Sequence, residues 1–231
     1  MSIPFLLHYY RYMGVIPSWK INAARWIQAI EQNEIMSRQL ATNQAIVDAI
    51  VSLQPTSVLD MGCGEGWLVR VLTTYCIKAA GVDAIQEFIQ YATTKGSEQY
   101  FVASYEEILK GKLSGYQFDA LVFNFSLFEQ GLTEDLLAFA PQLLNHEGYI
   151  VIQTLHPINM PQTQPYVSHW EEDSWKGLCT GFDSPHRWYF RTLADWINLL
   201  TTSGFQLVQL TEPLHPETKR PISLILTGKK A

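Results

Sequence analysis

Three features of the sequence predict an α/β fold built on an open, mostly parallel sheet. From Thr56 onward short β-rich runs alternate with segments of helical periodicity, two of the later runs are apolar almost throughout, and a glycine-rich turn joins the first run to the helix after it. Such alternation is what parallel strands joined by crossover helices require. A strand apolar at nearly every position fits a sheet covered on both faces. At 231 residues the chain is long enough for one sizeable domain with an extension, and short for two full domains.

The segment 18–53 is helical in character and precedes the sheet. TSVLD (56–60) reads as the first strand, and Trp67, Leu68, Val71, Leu72 and Tyr75 form the apolar stripe of the helix after the turn. A weaker second strand ends at GVD (81–83). Ile85, Phe88, Ile89 and Ala92 then fall at i, i+3, i+4 and i+7 and predict an amphipathic helix. QYFVA (99–103) and FDALVFNF (118–125) are the third and fourth strands, Leu136, Leu137, Ala140, Leu143 and Leu144 restore helical spacing, and GYIVIQTL (148–155) is the fifth strand.

Thr192 and Asp195 make a capping-type pair ahead of Trp196, Leu199 and Leu200, and Gly204 stands where a left-handed helix stop belongs. Two further strands follow, FQLVQLTE (205–212) and PISLILTG (221–228). About eight residues with two prolines separate them, too few for a crossover, which predicts an antiparallel hairpin. The sum is seven strands, mostly parallel, with one antiparallel strand near an edge and helices on both faces. Between the fifth strand and the Thr192 helix lie about 36 residues rich in Pro, Trp, Tyr and His, a length typical of lids and binding loops. With no repeat and no composition shift, residues 1–231 read as one domain: a helical extension (1–53), a ligand-binding half (54–156), a lid (157–191) and a C-terminal helix and hairpin (192–231).

Apolar residues at 47%, charged residues at 16% and aromatics at 13% exclude a disordered, collagenous or coiled-coil chain. A net charge of −6 supplies no general field to draw the chain onto nucleic acid or an acidic membrane. The apolar run before His8 and Arg11 is too brief for a signal peptide, and no stretch reaches the length that spans a bilayer. Cys63, Cys76 and Cys179 are odd in number and lack paired metal-ligand spacing, which predicts neither a disulfide framework nor a metal site and suits a reducing cytoplasm.

The chemistry centres on VLDMGCGEGW (58–67), where Gly62, Gly64 and Gly66 lie between strand and helix. Such a turn needs positive φ and lets a ligand approach backbone without meeting a Cβ. A dinucleotide fingerprint would place glycine at position 67, which is Trp67, and this counts against a nicotinamide-dependent oxidoreductase. Asp83, at the end of the second strand and seventeen positions after Gly66, lies where a carboxylate reaches a ribose diol.

DMGCGEGW followed by GVDA resembles the nucleoside-binding half of the class I S-adenosylmethionine-dependent methyltransferases, and the likeness extends over about residues 35–231. With SRQLAT (37–42), NFSLFE (124–129), QTLHP (153–157), WYFRTL (188–193) and the closing EP...P.SL, the chain resembles a bacterial group of small-molecule methyltransferases. The resemblance implies a Rossmann-like sheet, S-adenosyl-L-methionine as cofactor and S-adenosyl-L-homocysteine as product. It implies Asp60, Gly62 and Gly64 beneath the methionine part, Asp83 and Ala84 at the ribose, Ser104 and Tyr105 at the adenine, Asn124 beside the sulfonium and Arg38 as clamp for the cofactor carboxylate. The acid that the family often carries after the third strand is absent here, and a helix-surface arginine is the alternative reading of Arg38.

The acceptor is narrowed by absences. Asn124, Phe125, Ser126 and Leu127 lack the two prolines and aromatic of base amino-methylating enzymes, and no cysteine follows a proline as cytosine carbon-5 chemistry requires. Without a basic groove, a small molecule is the expected acceptor and nucleic acid is not. His156, at the carboxyl end of the fifth strand, is the candidate general base, with loop cap or substrate contact as the other readings. Tyr166, His169, Trp170, Trp175, Trp188 and Tyr189 make the lid aromatic, suited to excluding water and facing a sulfonium or to plain loop packing. Tyr166, Trp170, Trp188 and Arg191 are the candidate acceptor contacts. Arg187 and Arg191 would hold an acidic acceptor or else pair with Glu171, Glu172 or Asp173. HYYRY (8–12) would cover the cofactor or serve a subunit contact, and a non-catalytic methyltransferase-like binding module is the remaining competitor.

Overall fold

The structure, a computed structural model, describes residues 14–160, 164–172 and 174–231, so HYYRY (8–12) lies outside the described residues. Helix α1 (Val15–Glu31) ends where Asn33 takes a left-handed φ of 56°. A π-helical turn, Arg38–Thr42, then runs directly into α2 (Asn43–Val51). The parallel half follows as β1 (Ser57–Met61), α3 (Trp67–Thr74), β2 (Lys78–Asp83), α4 (Gln86–Lys95), β3 (Gln99–Val102), α5 (Tyr105–Leu109), β4 (Phe118–Asn124), α6 (Gly131–Phe139) and β5 (Leu144–Leu155). After a covering segment with the short strands β6 (His169–Glu171) and β7 (Trp188–Phe190), the chain ends in α7 (Leu193–Thr202), β8 (Phe205–Thr211) and β9 (Ser223–Lys230).

Seven strands form one sheet in the order β3-β2-β1-β4-β5-β9-β8. Neighbours among the first five pair in parallel, while β9 runs antiparallel to both β5 and β8. This is the Rossmann-like arrangement expected, with the antiparallel strand one place in from the edge. Side chains alternate between two buried faces. Leu59, Leu121, Ile150 and Leu224 pack with α6 and α7 on one side, and Val58, Ala120, Val151 and Ile225 pack with α2 and α3 on the other. Two covered faces explain the apolar runs at the centres of β4 (Ala120, Leu121, Val122, Phe123) and β5 (Ile150, Val151, Ile152).

Asp119, at the start of β4, accepts hydrogen bonds from the Thr56 amide (2.8 Å), the Thr56 hydroxyl (2.6 Å), the Ser57 amide (3.0 Å) and Asn145 Nδ2 (2.7 Å). Burial opposes its ionisation, but the bonds from Thr56, Asn145 and Ser57 outweigh burial and hold its pKa at about 2. These bonds tie the amino ends of three strands and leave their carboxyl ends free to carry a site.

The elements differ from expectation in three places. The stripe through Leu143 and Leu144 is not one helix: α6 stops at Phe139, Pro141 sits in a 3-10 turn, Ala140–Leu143, and Leu144 already belongs to β5. Residues 157–191 are not wholly irregular, since β6 and β7 form an antiparallel ribbon with His169 opposite Phe190. The helical extension is broken after α1 and resumes through the π turn. No helix among the described residues is long and apolar enough to cross a membrane, and no group of His, Cys, Asp and Glu there is arranged to hold a metal.

Candidate active site

Strand order reverses at β1, with β2 on one side and β4 on the other, and open α/β sheets bind ligands beyond the carboxyl ends of the strands at such a point. A cavity of about 520 Å³ lies there, bordered by the glycine turn, the ends of β4 and β5, the π turn, α1 and the covering segment. Gly62 has φ 78°, and a Cβ on it would fall 2.5 Å from that of Ser126, so the close approach of the loop after β4 demands glycine. Gly64 has φ 53° and faces open space, with only Trp26 Nε1 near, at 3.7 Å from a Cβ placed there. Asp83 Oδ2 accepts from the Gly64 amide (2.9 Å) and Oδ1 from the Ile85 amide (2.8 Å), which fixes the carboxylate against the turn. Burial pushes its pKa to about 6 against the pull of those bonds.

Asp60, Gly62, Gly64, Asp83, Ala84, Tyr105, Asn124 and Arg38 all line this cavity. Asp60 is 2% exposed and its Oδ1 has no partner among the described residues. Burial, reinforced by the charges of Glu65 and Asp83 and opposed by Arg38, raises its pKa to about 8. The Arg38 guanidinium lies 4.7 Å from the Trp67 ring centre and forms no ion pair with a described residue. Burial lowers its pKa, and the nearby Glu65 and Asp60 charges counter that effect. The Asp60 carboxyl and the Arg38 guanidinium, neither with a partner, lie in one cavity and suit a ligand that carries both a cationic and an anionic group, since a cation beside Asp60 would favour its ionised form.

Four of the expected residues do not reach the cavity. Ser104 caps α5: its hydroxyl accepts from the Glu107 amide at 3.3 Å while Glu107 accepts from the Ser104 amide at 2.9 Å. His156 has both ring nitrogens engaged, Nε2 with Glu212 at 2.7 Å and Nδ1 accepting from the Ile158 amide at 3.1 Å. It therefore ties the end of β5 to the residue after β8, and the base role expected for it has no geometry behind it. Tyr166 accepts from the Leu193 amide through its hydroxyl (2.9 Å), and Trp170 packs outside against Tyr189 and under Arg187. Trp188 and Arg191 do line the cavity. Arg191 Nη2 donates to the carbonyls of Glu129 (3.1 Å) and Gln130 (2.9 Å) and the group lies between Tyr189 and Trp196, while Nη1 is buried with no partner among the described residues.

Several cavity residues escaped the sequence reading. Glu65 is 1% exposed in the turn, and an acid between two turn glycines was the available signal. Trp19 on α1 meets Trp26 (5.0 Å between ring centres), Phe128 (5.9 Å) and Trp175 (4.8 Å). His186, fully buried beside them, has Nδ1 3.0 Å from the Ser174 hydroxyl, and burial holds its pKa down at about 4. These groups are held by α1. Ser18 donates to the Ser184 carbonyl (2.6 Å), Asn22 exchanges two hydrogen bonds with the Asp183 backbone (2.7 and 2.9 Å), and Arg25 donates to the Thr180 carbonyl (2.8 Å). Nothing local in the sequence pairs α1 with residues 180–184.

A family model described as a methyltransferase domain matches residues 32–210. An uncharacterized protein of Haemophilus influenzae is 22% identical over 245 residues, covering 91% of this chain and 95% of that protein. The crystal structure of the Burkholderia thailandensis 1,6-didemethyltoxoflavin-N1-methyltransferase, with bound 1,6-didemethyltoxoflavin and S-adenosylhomocysteine, superposes with a TM-score of 0.67 at 18% identity and covers 100% of this chain and 92% of its own. An S-adenosylmethionine-dependent methyltransferase from Clostridium acetobutylicum superposes with a TM-score of 0.65 at 12% identity, covering 90% of this chain and 97% of its own. At such identities the two structures speak for the fold. The family match reaches further, since it takes in the π turn, the glycine turn, all the parallel strands and the covering segment, and by it the chain belongs to the methyltransferase domain family.

Proposed function

We propose that this chain transfers the methyl group of S-adenosylmethionine to an oxygen, nitrogen or carbon of a small molecule bound beneath residues 157–191, which act as its lid. The observation that carries this reading is the pair of groups without partners beside the glycine turn, the buried Asp60 carboxyl and the Arg38 guanidinium, with the Asp83 carboxylate fixed one strand away. The ammonium and carboxylate of a methionine head suit Asp60 and Arg38, and a ribose diol suits Asp83. Gly64 leaves backbone open to the ligand. Tyr105 supports this wall, its hydroxyl donating toward the carbonyls of Met61 (3.1 Å) and Ser126 (3.3 Å). Phe125, directly after Asn124, holds a left-handed φ of 54°, and strained backbone of that kind concentrates at functional sites.

When bound, the cofactor supplies a methyl carbon already activated by a positively charged sulfur. What remains for the protein is alignment and exclusion of water, and alignment alone lowers such barriers substantially. Asn124 would sit beside the sulfonium, and Trp19, Phe128, Trp175 and Trp188 would seal the acceptor from solvent. A small molecule as acceptor is supported by the Burkholderia relative, whose bound acceptor is of that kind.

Calorimetric titration with S-adenosylmethionine, S-adenosylhomocysteine and NAD in parallel tests the reading. Binding of both sulfur nucleosides without NAD is expected. Binding of NAD alone would replace the reading with an oxidoreductase, and silence from all three would leave a module without this cofactor.

A further inference from the structure

The loop from β4 to α6 carries Glu129, which lines the cavity five residues after Asn124. Its backbone is held firmly. The Glu129 carbonyl accepts from Arg191 Nη2 (3.1 Å) and from the Thr133 hydroxyl, both of them buried residues, and the Phe128 carbonyl just before it accepts from the Tyr189 amide (2.7 Å). The side chain is left free. No described residue donates to its carboxyl group, and the guanidinium at hand, Arg191, takes the carbonyl instead and lies 3.8 Å from Glu134.

Glu129 is half-buried, and unlike Asp60 Oδ1 neither of its carboxyl oxygens is sealed from solvent. The charged and titratable groups facing this part of the cavity are Glu106 from α5 and Lys176, His186, Tyr189 and Arg191 from the covering segment, with Glu134 of α6 behind Arg191. Burial, reinforced by the Glu106 charge and opposed by no cation, raises the pKa of Glu129. A positioned acid that is reachable, uncommitted and made more basic in a ligand cavity is equipped to take up a proton.

Resting on the methyltransferase reading above, we infer that Glu129 takes the proton of the methyl acceptor, and that this acceptor presents a hydroxyl on an aromatic ring. A neutral amine needs no base, and a protonated one would be repelled by the sulfonium. An alkanol is too weak an acid to yield its proton to a carboxylate, whereas a phenol is not. Rings line the same side: Phe128 directly precedes Glu129, and its ring centre lies 5.9 Å from that of Trp19 and 5.1 Å from that of His186, flat faces suited to a flat ligand. The C–O bond forms as the C–S bond breaks, its electron pair passing to sulfur, while the hydroxyl proton passes to the Glu129 carboxylate. The sulfonium and carboxylate charges vanish together, which favours reaction where water is excluded. Glu129 then releases its proton to solvent.

The test uses the full chain with saturating S-adenosylmethionine and three phenols of falling acidity, para-nitrophenol, para-chlorophenol and phenol itself, with aniline beside them. Methyl transfer is read as S-adenosylhomocysteine formed. Transfer to the phenols and not to aniline is expected, with kcat rising with pH to a plateau as Glu129 ionises. Glu129→Gln keeps the shape and an accepting oxygen. It should lower kcat for phenol about 100-fold, lower it less for para-nitrophenol, which ionises unaided, remove the acid limb, and leave KM and S-adenosylhomocysteine affinity within about threefold. Glu129→Asp, which keeps a base, should lower kcat and retain the limb. Asp83 and His186 also titrate in acid, so a limb that persists in Glu129→Gln would belong to them and overturn the inference. An unchanged kcat, an equal loss with all three phenols, transfer to aniline as fast as to the phenols, or no transfer to any phenol by a chain shown to bind S-adenosylmethionine would each overturn it as well. Should the glutamine variant not fold, Glu129→Asp decides, an unaltered kcat or a lost limb counting against the inference. Failure of the wild type to bind S-adenosylmethionine would instead strike the methyltransferase reading beneath it.

Discussion

The two walls of the cavity are made in different ways. On the glycine-turn side, Asp60, Gly62, Gly64 and Asp83 are placed by backbone: each sits at a strand end or in the turn after it, and the Asp83 carboxylate is locked by two amides. On the covering side, Trp175 and His186 are placed by side chains, through the grip of Ser18, Asn22 and Arg25 on residues 180–184 and the packing of Trp19. The first wall is preorganised by the sheet. The second depends on contacts between segments more than 150 residues apart in sequence, so its stability is separable from that of the sheet.

The largest effect should come from Asp83→Ala. Losing the two bonds to the turn and the proposed ribose contact is expected to lower S-adenosylhomocysteine affinity about 100-fold by calorimetry, with amide exchange in residues 174–186 unchanged. A loss below tenfold would mean that the backbone-built wall is not what holds the cofactor. Asn22→Ala attacks the other wall. Removing its bonds to the Asp183 backbone should destabilise residues 176–186 locally by about 2 kcal/mol and speed their amide exchange about 30-fold, while cofactor affinity moves by less than about threefold. If exchange accelerated equally in β1 and β4, the two walls would be one cooperative unit and the contrast would fail.

Acid should tell the walls apart more gently. The pKa of His186 is held at about 4, below its ordinary 6.5, with Ser174, Trp19, Phe128 and Trp175 around it and no charged group among the causes of the shift. The unfolded segment binds more protons than the folded one between those values, so the stability tied to the neutral imidazole is present above about 6.5 and is lost as pH falls toward 4. The protection of residues 174–186, corrected for the intrinsic pH dependence of exchange, should therefore fall on acidification by at most about tenfold per pH unit, and His186→Gln should flatten the profile. A slope that persists in the variant would assign the sensitivity to another group. The smallest effect is expected of His156→Ala, a loss of about 1 kcal/mol in stability with methyl transfer changed by less than about twofold. A hundredfold fall in kcat would return His156 to the chemistry.

The contrast also explains what could be read in advance. The glycine turn, Asp83 and the ends of β4 and β5 follow from periodicity and from the rule that ligands meet parallel strands at their carboxyl ends, and the structure brings Asp60, Gly62, Gly64, Asp83 and Asn124 to one cavity. His156 satisfies the same rule of position, but Glu212, 56 residues later in sequence, takes its Nε2. Ser104 is held for a local reason: Glu107 three residues on makes it a helix cap, a pattern visible in the sequence. Trp170 and Tyr166 have the composition of a binding surface, but neither lines the cavity: Trp170 packs on Tyr189 across the ribbon and the Tyr166 hydroxyl accepts from the Leu193 amide.

The sequence by itself determined the parallel sheet, the turn that opens backbone to a ligand and the carboxylate beside it, because strand alternation, positive φ and a strand-end acid are properties of short stretches of chain. Only the tertiary structure decided that α1 closes over the site and that Glu212 meets His156 Nε2. Each of these depends on which partner a polar group finds or fails to find across the fold, and that is settled by packing between elements far apart in sequence.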